Sequence, residues 1–356
     1  MYDILLTTLT AFLITYFTIP SVIKIAVEKN LVDEPGERRS HSKSIPTLGG
    51  FSIFVGLIFS VVFWTPVSEY IQEGSNTSFQ YILCAYIIIF MIGAKDDIIP
   101  LPASKKFMGQ LLASCILVYF AKIQLTSLYG IFGIYEIPQW SGALLTIFTI
   151  IIITNSFNLI DGINALASII GCIVCFTFGY WFFLNERYDM AILAAGLIGS
   201  LIAFLRYNSE SEIFMGDTGS LLIGLTASIL SITFIQSNIS YVNEFSIQSA
   251  PAVAIGILII PLFDTLRVFT LRVISGKSPF DPDRLHIHHL LIDLGLPHLM
   301  SAYILAFTNL TFILVVFTLN HIGTLELALL ILFLATALTT TIKMIHYRKS
   351  LKSKNV

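Results

Sequence analysis

The sequence predicts an all-α integral membrane protein that crosses the bilayer about eleven times, and three observations lead there. Of 356 residues, 56% are hydrophobic and only 12% are charged, against roughly 25% charged in a soluble domain. Apolar stretches near the ~20 residues that a bilayer span requires recur along the whole chain. The Lys and Arg residues gather in alternate connections between them, which is how membrane proteins set their orientation.

Taken in order, the expected spans are 4–23, 49–66, 79–94, 107–121, 141–157, 163–184, 189–205, 219–236, 250–271, 298–319 and 324–343. The short ones, 79–94 and 107–121, suit helices packed inside a bundle. Residues 1–23 lack a basic start and a small-residue cleavage site, so they read as a retained first helix. If the 24–48 connection is cytoplasmic, so are 95–106, 206–218, 272–297 and the tail from 343. Only Lys122 and Arg187 among the 20 Lys and Arg then lie outside. The N-terminus is therefore expected outside, the C-terminus cytoplasmic, and residues 1–356 form one integral domain. The net charge of −2 says little about partners, because position matters more than the sum.

Cys84, Cys115, Cys172 and Cys175 all fall in expected spans, and the C-x-x-C of 172–175 reads as helix packing rather than a redox pair. Tract 122–140 reads as an external hairpin. The other external connections are polar but poor in reactive groups.

The cytoplasmic connections differ. "AKDDIIPLPASKKFMGQ" sets Asp96 and Asp97 at the foot of an apolar run, with Lys106 and Gln110 opening the next helix. Adjacent carboxylates repel unless a cation or shared proton relieves them; a plain helix end is the alternative. "NSFNLIDGIN" spaces Asn155, Asn158 and Asp161 at i, i+3 and i+6, on one face if helical. Amide and carboxylate oxygens suit Mg²⁺ or Mn²⁺, though Asn, Asp and Gly are also ordinary helix terminators. "MGDTGS" puts Asp217 at the start of a span, either as an N-cap or beside a phosphate. "DRLHIHHL" supplies Arg284, His286, His288 and His289, which suit a diphosphate better than zinc because no Cys partners accompany them. Collected on one side at membrane level, these groups suit phosphoryl transfer between a soluble nucleotide and a lipid acceptor. A secondary transporter would place its acids nearer the midplane.

Five ordered motifs cover nearly the whole chain: D-x-P…RR-x-H…P-x-x-GG at 33–50, DD with K-x-x-x-Q at 96–110, N-x-x-N-x-x-DG at 155–162, GD-x-GS at 216–220 and HIHH at 286–289. On these the chain resembles the polyprenyl-phosphate N-acetylhexosamine-1-phosphate transferases, in the branch that uses undecaprenyl phosphate and GlcNAc-1-phosphate rather than the phospho-MurNAc-pentapeptide translocase branch. The resemblance implies eleven spans, a cytoplasmic active site in a bacterial inner membrane, and transfer of a sugar 1-phosphate from a UDP-sugar to the lipid phosphate, releasing UMP with Mg²⁺ or Mn²⁺. It implies Asp217 and Asn158 as metal ligands, Asp96 and Asp97 beside the lipid phosphate, with one as base, and Asp161 beside the nucleotide. Lys106 would neutralise lipid phosphate, and Arg284 and His288 would hold the diphosphate, with Asn155, His286 and His289 lining the substrate site. The expected partners are the membrane, the lipid and the UDP-sugar, with a homodimer allowed and no nucleic acid. A lipid phosphate whose second pKa is about 6 is largely dianionic at pH 7, so neutralisation and alignment weigh more than a base. The chain departs from the common pattern at Asn164 and Ala165, where relatives often carry Asp and Gly.

Overall fold

The computed structural model describes residues 2–33, 44–65, 79–240, 243–276, 278 and 285–354. Helices account for nearly all of them: α1 (Tyr2–Glu28), α2 (Gly49–Trp64), α3 (Phe79–Ile98), α4 (Ala103–Tyr119), α5 (Gln139–Ile160), α6 (Leu166–Leu184), α7 (Tyr188–Asn208), α8 (Gly216–Ser240), α9 (Ala250–Ile257), α10 (Ile259–Ile274), α11 (Ile287–Asp293), α12 (His298–Thr318) and α13 (Thr324–Lys354). Helix occurs at each of the eleven expected stretches. Among the described residues, seven helices are long and apolar enough to cross a membrane, or eight if α9 and α10 count as one broken span. The 122–140 tract is a hairpin, with Leu128 N–H bonded to Tyr135 O and Ile137 N–H to Thr126 O.

Helix α8 is the central post, buried along nearly its whole length and packed against α2, α3, α5, α6 and α9. No hydrophobic force drives helices together inside lipid, so small residues that admit close backbones do the work. A Cβ on Gly50 would strike the Gly219 backbone, one on Gly93 the Thr218 backbone, and one on Gly224 the Thr154 backbone. Tyr86 and Thr226 share a buried hydroxyl bond of 2.6 Å between α3 and α8. Three neighbours thus lie against the post at backbone range.

The expected continuous span 250–271 is broken: α9 and α10 meet at an 83° bend. Proline supplies the reason. Pro261 has no N–H to give Ile257 and its ring crowds that carbonyl. The freed oxygen of Ile257 accepts a bond from fully buried Asn309 of α12 at 3.1 Å. Past the bend, α10 packs against α5, α12 and α13, which carries its polar residues toward the end of α5.

A two-stranded hairpin, β1 (Val32–Asp33) and β2 (Ile45–Pro46), follows α1. From it the chain docks onto the loop before α8: Phe214 N–H bonds Pro46 O, Gly49 N–H bonds Phe214 O, and Gly50 N–H bonds Met215 O. The P-x-x-GG motif therefore buttresses the GD-x-GS motif.

Candidate active site

The ends of α3 and α5 and the starts of α4 and α8 converge. Asp96 and Asp97 share the last turn of α3 yet face different partners. Asp97 Oδ1 accepts the Asp217 N–H at 2.7 Å, and its Oδ2 accepts the Thr218 N–H at 3.1 Å and the Thr218 hydroxyl at 2.5 Å. A helix start leaves such N–H groups without intrahelical partners and favours a negative charge. The N-cap of α8 is thus a carboxylate from another helix. Gly216 makes room: its φ is +73°, and a side chain there would strike the Asp97 carboxylate.

Asp217 is therefore not needed as its own cap, and its side chain turns to Lys106. The ammonium lies 2.6 Å from Asp217 Oδ2 and 2.5 Å from Asp96 Oδ2. The other Asp96 oxygen accepts the Leu101 N–H at 2.6 Å, fixing the turn that delivers Lys106. With side-chain exposures of 28%, 12% and 24% for Lys106, Asp96 and Asp217, the cluster stays open to a ligand.

Asn155 and Gln110 exchange two amide bonds, at 2.7 and 3.3 Å, joining α5 to α4. Asn158 donates to Ser220 at 3.0 Å and also hydrogen-bonds Asp217. Asp161 does not continue the helical face expected from its spacing: α5 ends at Ile160 and Asp161 caps it. Burial, then the negative charges of Asp217 and Asp97, push the Asp161 carboxyl well above the usual carboxylate range. Asp96, Asp97, Lys106, Asn155, Asn158, Asp161 and Asp217 hence form one neighbourhood.

The histidine segment meets it from the other side. His288, 1% exposed, packs against Gly162, where a Cβ would strike its Nε2, and that nitrogen has no hydrogen-bond partner among the described residues. Burial, then the neighbouring His289, lowers the His288 imidazole to about 3. His288 is consequently a neutral hydrogen-bonding group rather than the cation its motif suggests. The His286 and His288 rings stack at 5.5 Å, and His289 lies 4.3 Å from His288. Arg284 lies outside the described residues, as does 34–43 of the first motif.

Among the described residues, no three His, Cys, Asp or Glu gather as a metal cage. The arrangement still fits Mg²⁺ or Mn²⁺. Mg²⁺ usually takes one or two carboxylates and completes its shell with waters and substrate phosphates. The notch between Asp96 and Asp217 already favours a cation, since it holds an ammonium.

The signature of the family described as glycosyl transferase family 4 matches residues 79–235, which include every member of the acid and lysine cluster. A relative in Escherichia coli K12 named undecaprenyl-phosphate alpha-N-acetylglucosaminyl 1-phosphate transferase is 31% identical over 278 residues, 76% of this chain and 72% of the relative. A Bacillus subtilis relative named probable undecaprenyl-phosphate N-acetylglucosaminyl 1-phosphate transferase is 32% identical over 330 residues, 91% of this chain and 88% of its own. The chain belongs to the polyprenyl-phosphate hexosamine-1-phosphate transferases of glycosyl transferase family 4. A Salmonella typhi relative bearing the same name as the E. coli protein is 30% identical over 80% of this chain.

In this family 4 transferase the departure at 164–165 is local. Asn164 donates to Ser211 at 2.5 Å, and the Ala165 N–H bonds Asn208 at 2.7 Å, so the turn is pinned to α7 and Asn164 is spent there. Motif reading overlooked Asp264 and Arg267, which hold the histidine segment from beneath. Their signal was present: ionisable residues inside "IIPLFDTLRVF" are costly enough to need a purpose.

Proposed function

We propose that this chain transfers N-acetylglucosamine 1-phosphate from UDP-N-acetylglucosamine to undecaprenyl phosphate, yielding the lipid diphosphosugar and UMP. The relatives' names and the family membership support the reaction. The single structural observation that carries it is Lys106 bridging Asp96 and Asp217 at the foot of apolar helices. A phosphate held there has its ester tail beside lipid and its nucleotide partner in water.

An oxygen of the lipid phosphate attacks the phosphorus that bears the sugar; the bond to the bridging oxygen of the diphosphate breaks, and that oxygen leaves with UMP. Lys106 releases an acid to take a phosphate oxygen and lowers the repulsion between two anions. Asp97 acts by holding the α8 start in place rather than as a base. Asp161, with its carboxyl pushed up, offers a proton to a nucleotide acceptor. The metal, held by Asp217 and Asn158, would neutralise charge developing on the diphosphate. The site faces the cytoplasm of a bacterial inner membrane, with eleven crossings and the N-terminus outside. The distribution of Lys and Arg supports that orientation.

The test is UMP release and lipid product from purified protein in detergent, with undecaprenyl phosphate, Mg²⁺ and UDP-GlcNAc, UDP-GalNAc or UDP-glucose in separate reactions. UDP-GlcNAc should be turned over, and chelator should stop it. No UMP from any of them, with the protein folded, sinks the proposal.

A further inference from the structure

Asp264 of α10 is 2% exposed, and both of its oxygens are committed. Oδ1 accepts the Ile287 N–H at 3.0 Å and the Arg267 guanidinium at 2.9 Å, and Oδ2 meets His286 Nδ1 at 2.8 Å. The Arg267 nitrogen that holds Asp264 also donates to the Leu285 carbonyl. Three consecutive residues, 285 to 287, are thus clamped by one buried acid and the arginine a turn beyond it. With three of its roughly four acceptor sites used and its side chain buried, this carboxylate serves the segment above it rather than a ligand.

We propose that Asp264, assisted by Arg267, is a positioning residue that sets the histidine segment for the diphosphate of the nucleotide. A carboxylate facing Nδ1 keeps the proton on that nitrogen and fixes the ring's direction. His286 so oriented stacks on His288, whose Nε2 lies over Gly162, next to Asp161, with no partner among the described residues. The path runs from the bent helix through two imidazoles to the end of α5. Asp264 acts on the nucleotide side only; the Lys106 cluster is built without it.

The inference rests on the transferase reading, so its test has two readouts: steady-state kinetics with UDP-GlcNAc and undecaprenyl phosphate, and direct calorimetric binding of UDP. Asp264→Asn keeps the shape but presents an amide N–H to Nδ1, which must then accept. We expect the KM for UDP-GlcNAc and the Kd for UDP to rise about 10- to 100-fold, the range for lost outer-shell partners of a site. The KM for undecaprenyl phosphate should stay within about twofold, with Tm close to the parent. Because Asp264 acts through His286, Asp264→Asn combined with His286→Ala should lose far less than the product of the two single losses. Arg267→Lys, which loses the fork but keeps the charge, should give a smaller loss of the same kind.

Unchanged UDP affinity in a folded Asp264→Asn protein overturns the proposal. So does an equal rise in both KM values, or multiplicative losses in the double variant. A parent that binds UDP in an Asp264-dependent way yet turns over no UDP-sugar leaves this inference standing and removes the transferase reading. A parent that binds no UDP ends both.

Discussion

Asp97 and Thr218, on different helices and 121 positions apart, are joined by two bonds, one to the backbone N–H at 3.1 Å and one to the hydroxyl at 2.5 Å. The second acid of the DD motif is therefore a cap for the helix that carries Asp217. Thr218→Val removes the hydroxyl bond and leaves the backbone one. It should lower Tm by the equivalent of about 1 kcal/mol, the usual worth of a hydrogen bond. Asp97→Ala, which strips three acceptor contacts, should cost more and lower turnover as well. Thermal unfolding in detergent beside UMP release checks both; full activity in a folded Asp97→Ala protein would contradict the capping role.

In the proposed reaction Lys106 and the divalent cation would compete for the same carboxylate, since the ammonium lies 2.6 Å from Asp217. Lys106→Gln should lower turnover by about 100-fold or more, in line with loss of a preorganised electrostatic group. The Mg²⁺ concentration giving half-maximal rate should fall, because Asp217 is no longer shared. Titrating Mg²⁺ into both proteins decides it; a rising requirement would mean that Lys106 helps to hold the metal.

His288 carries a pH signature. Its imidazole sits at about 3 in the folded protein, against about 6.5 in the open chain. Between these values the unfolded state binds a proton that the folded state refuses, so this residue makes stability fall as pH drops through that window. His288→Gln should flatten the Tm profile between pH 6.5 and 4, by up to about 1.4 kcal/mol per pH unit. An unchanged difference between parent and variant across that range would refute a buried neutral ring.

The break between α9 and α10 depends on Asn309, which serves the carbonyl that Pro261 leaves open. Asn309→Leu strands the Ile257 oxygen in a buried place and should cost about 1 to 3 kcal/mol. Because α10 carries Asp264, UDP affinity should weaken too. Thermal shift and UDP binding on the variant test this, and a neutral result in both would remove Asn309 from the account.

Ala165 holds φ at +69°, a region that costs an L-residue roughly 1 kcal/mol. Ala165→Gly should leave turnover unchanged and raise Tm slightly, the relief being partly offset by the extra freedom of glycine when unfolded.

Much of this was legible in the chain. Hydropathy placed a helix at each expected stretch, because burial in lipid demands long apolar runs whatever the partners. Spacing found Asp96, Lys106, Asn158 and Asp217, because polar groups at the ends of such runs stand out. Spacing could not tell Asp96 from Asp97: which carboxylate caps and which pairs with lysine depends on Gly216 and on the approach of α8, which are tertiary facts. Pro261 in the middle of the expected span 250–271 was a visible breaking signal, but the 83° angle depends on Asn309 taking the freed Ile257 carbonyl, which only the packing shows. Asp264 stood out as an ionisable residue inside an apolar run but belonged to no motif, so its partners were not legible, and the neutral state of His288 follows from burial that no motif records.

Single-turnover UMP release by Asp217→Asn, beside the parent and an Asp189→Asn control from the remote Arg187 pair, tests the central claim most directly. The claim is that phosphoryl transfer occurs where Lys106 joins Asp96 and Asp217. The account predicts a loss of about 100-fold or more in a folded Asp217→Asn protein, with the control near the parent. An Asp217→Asn protein within twofold of the parent would contradict it.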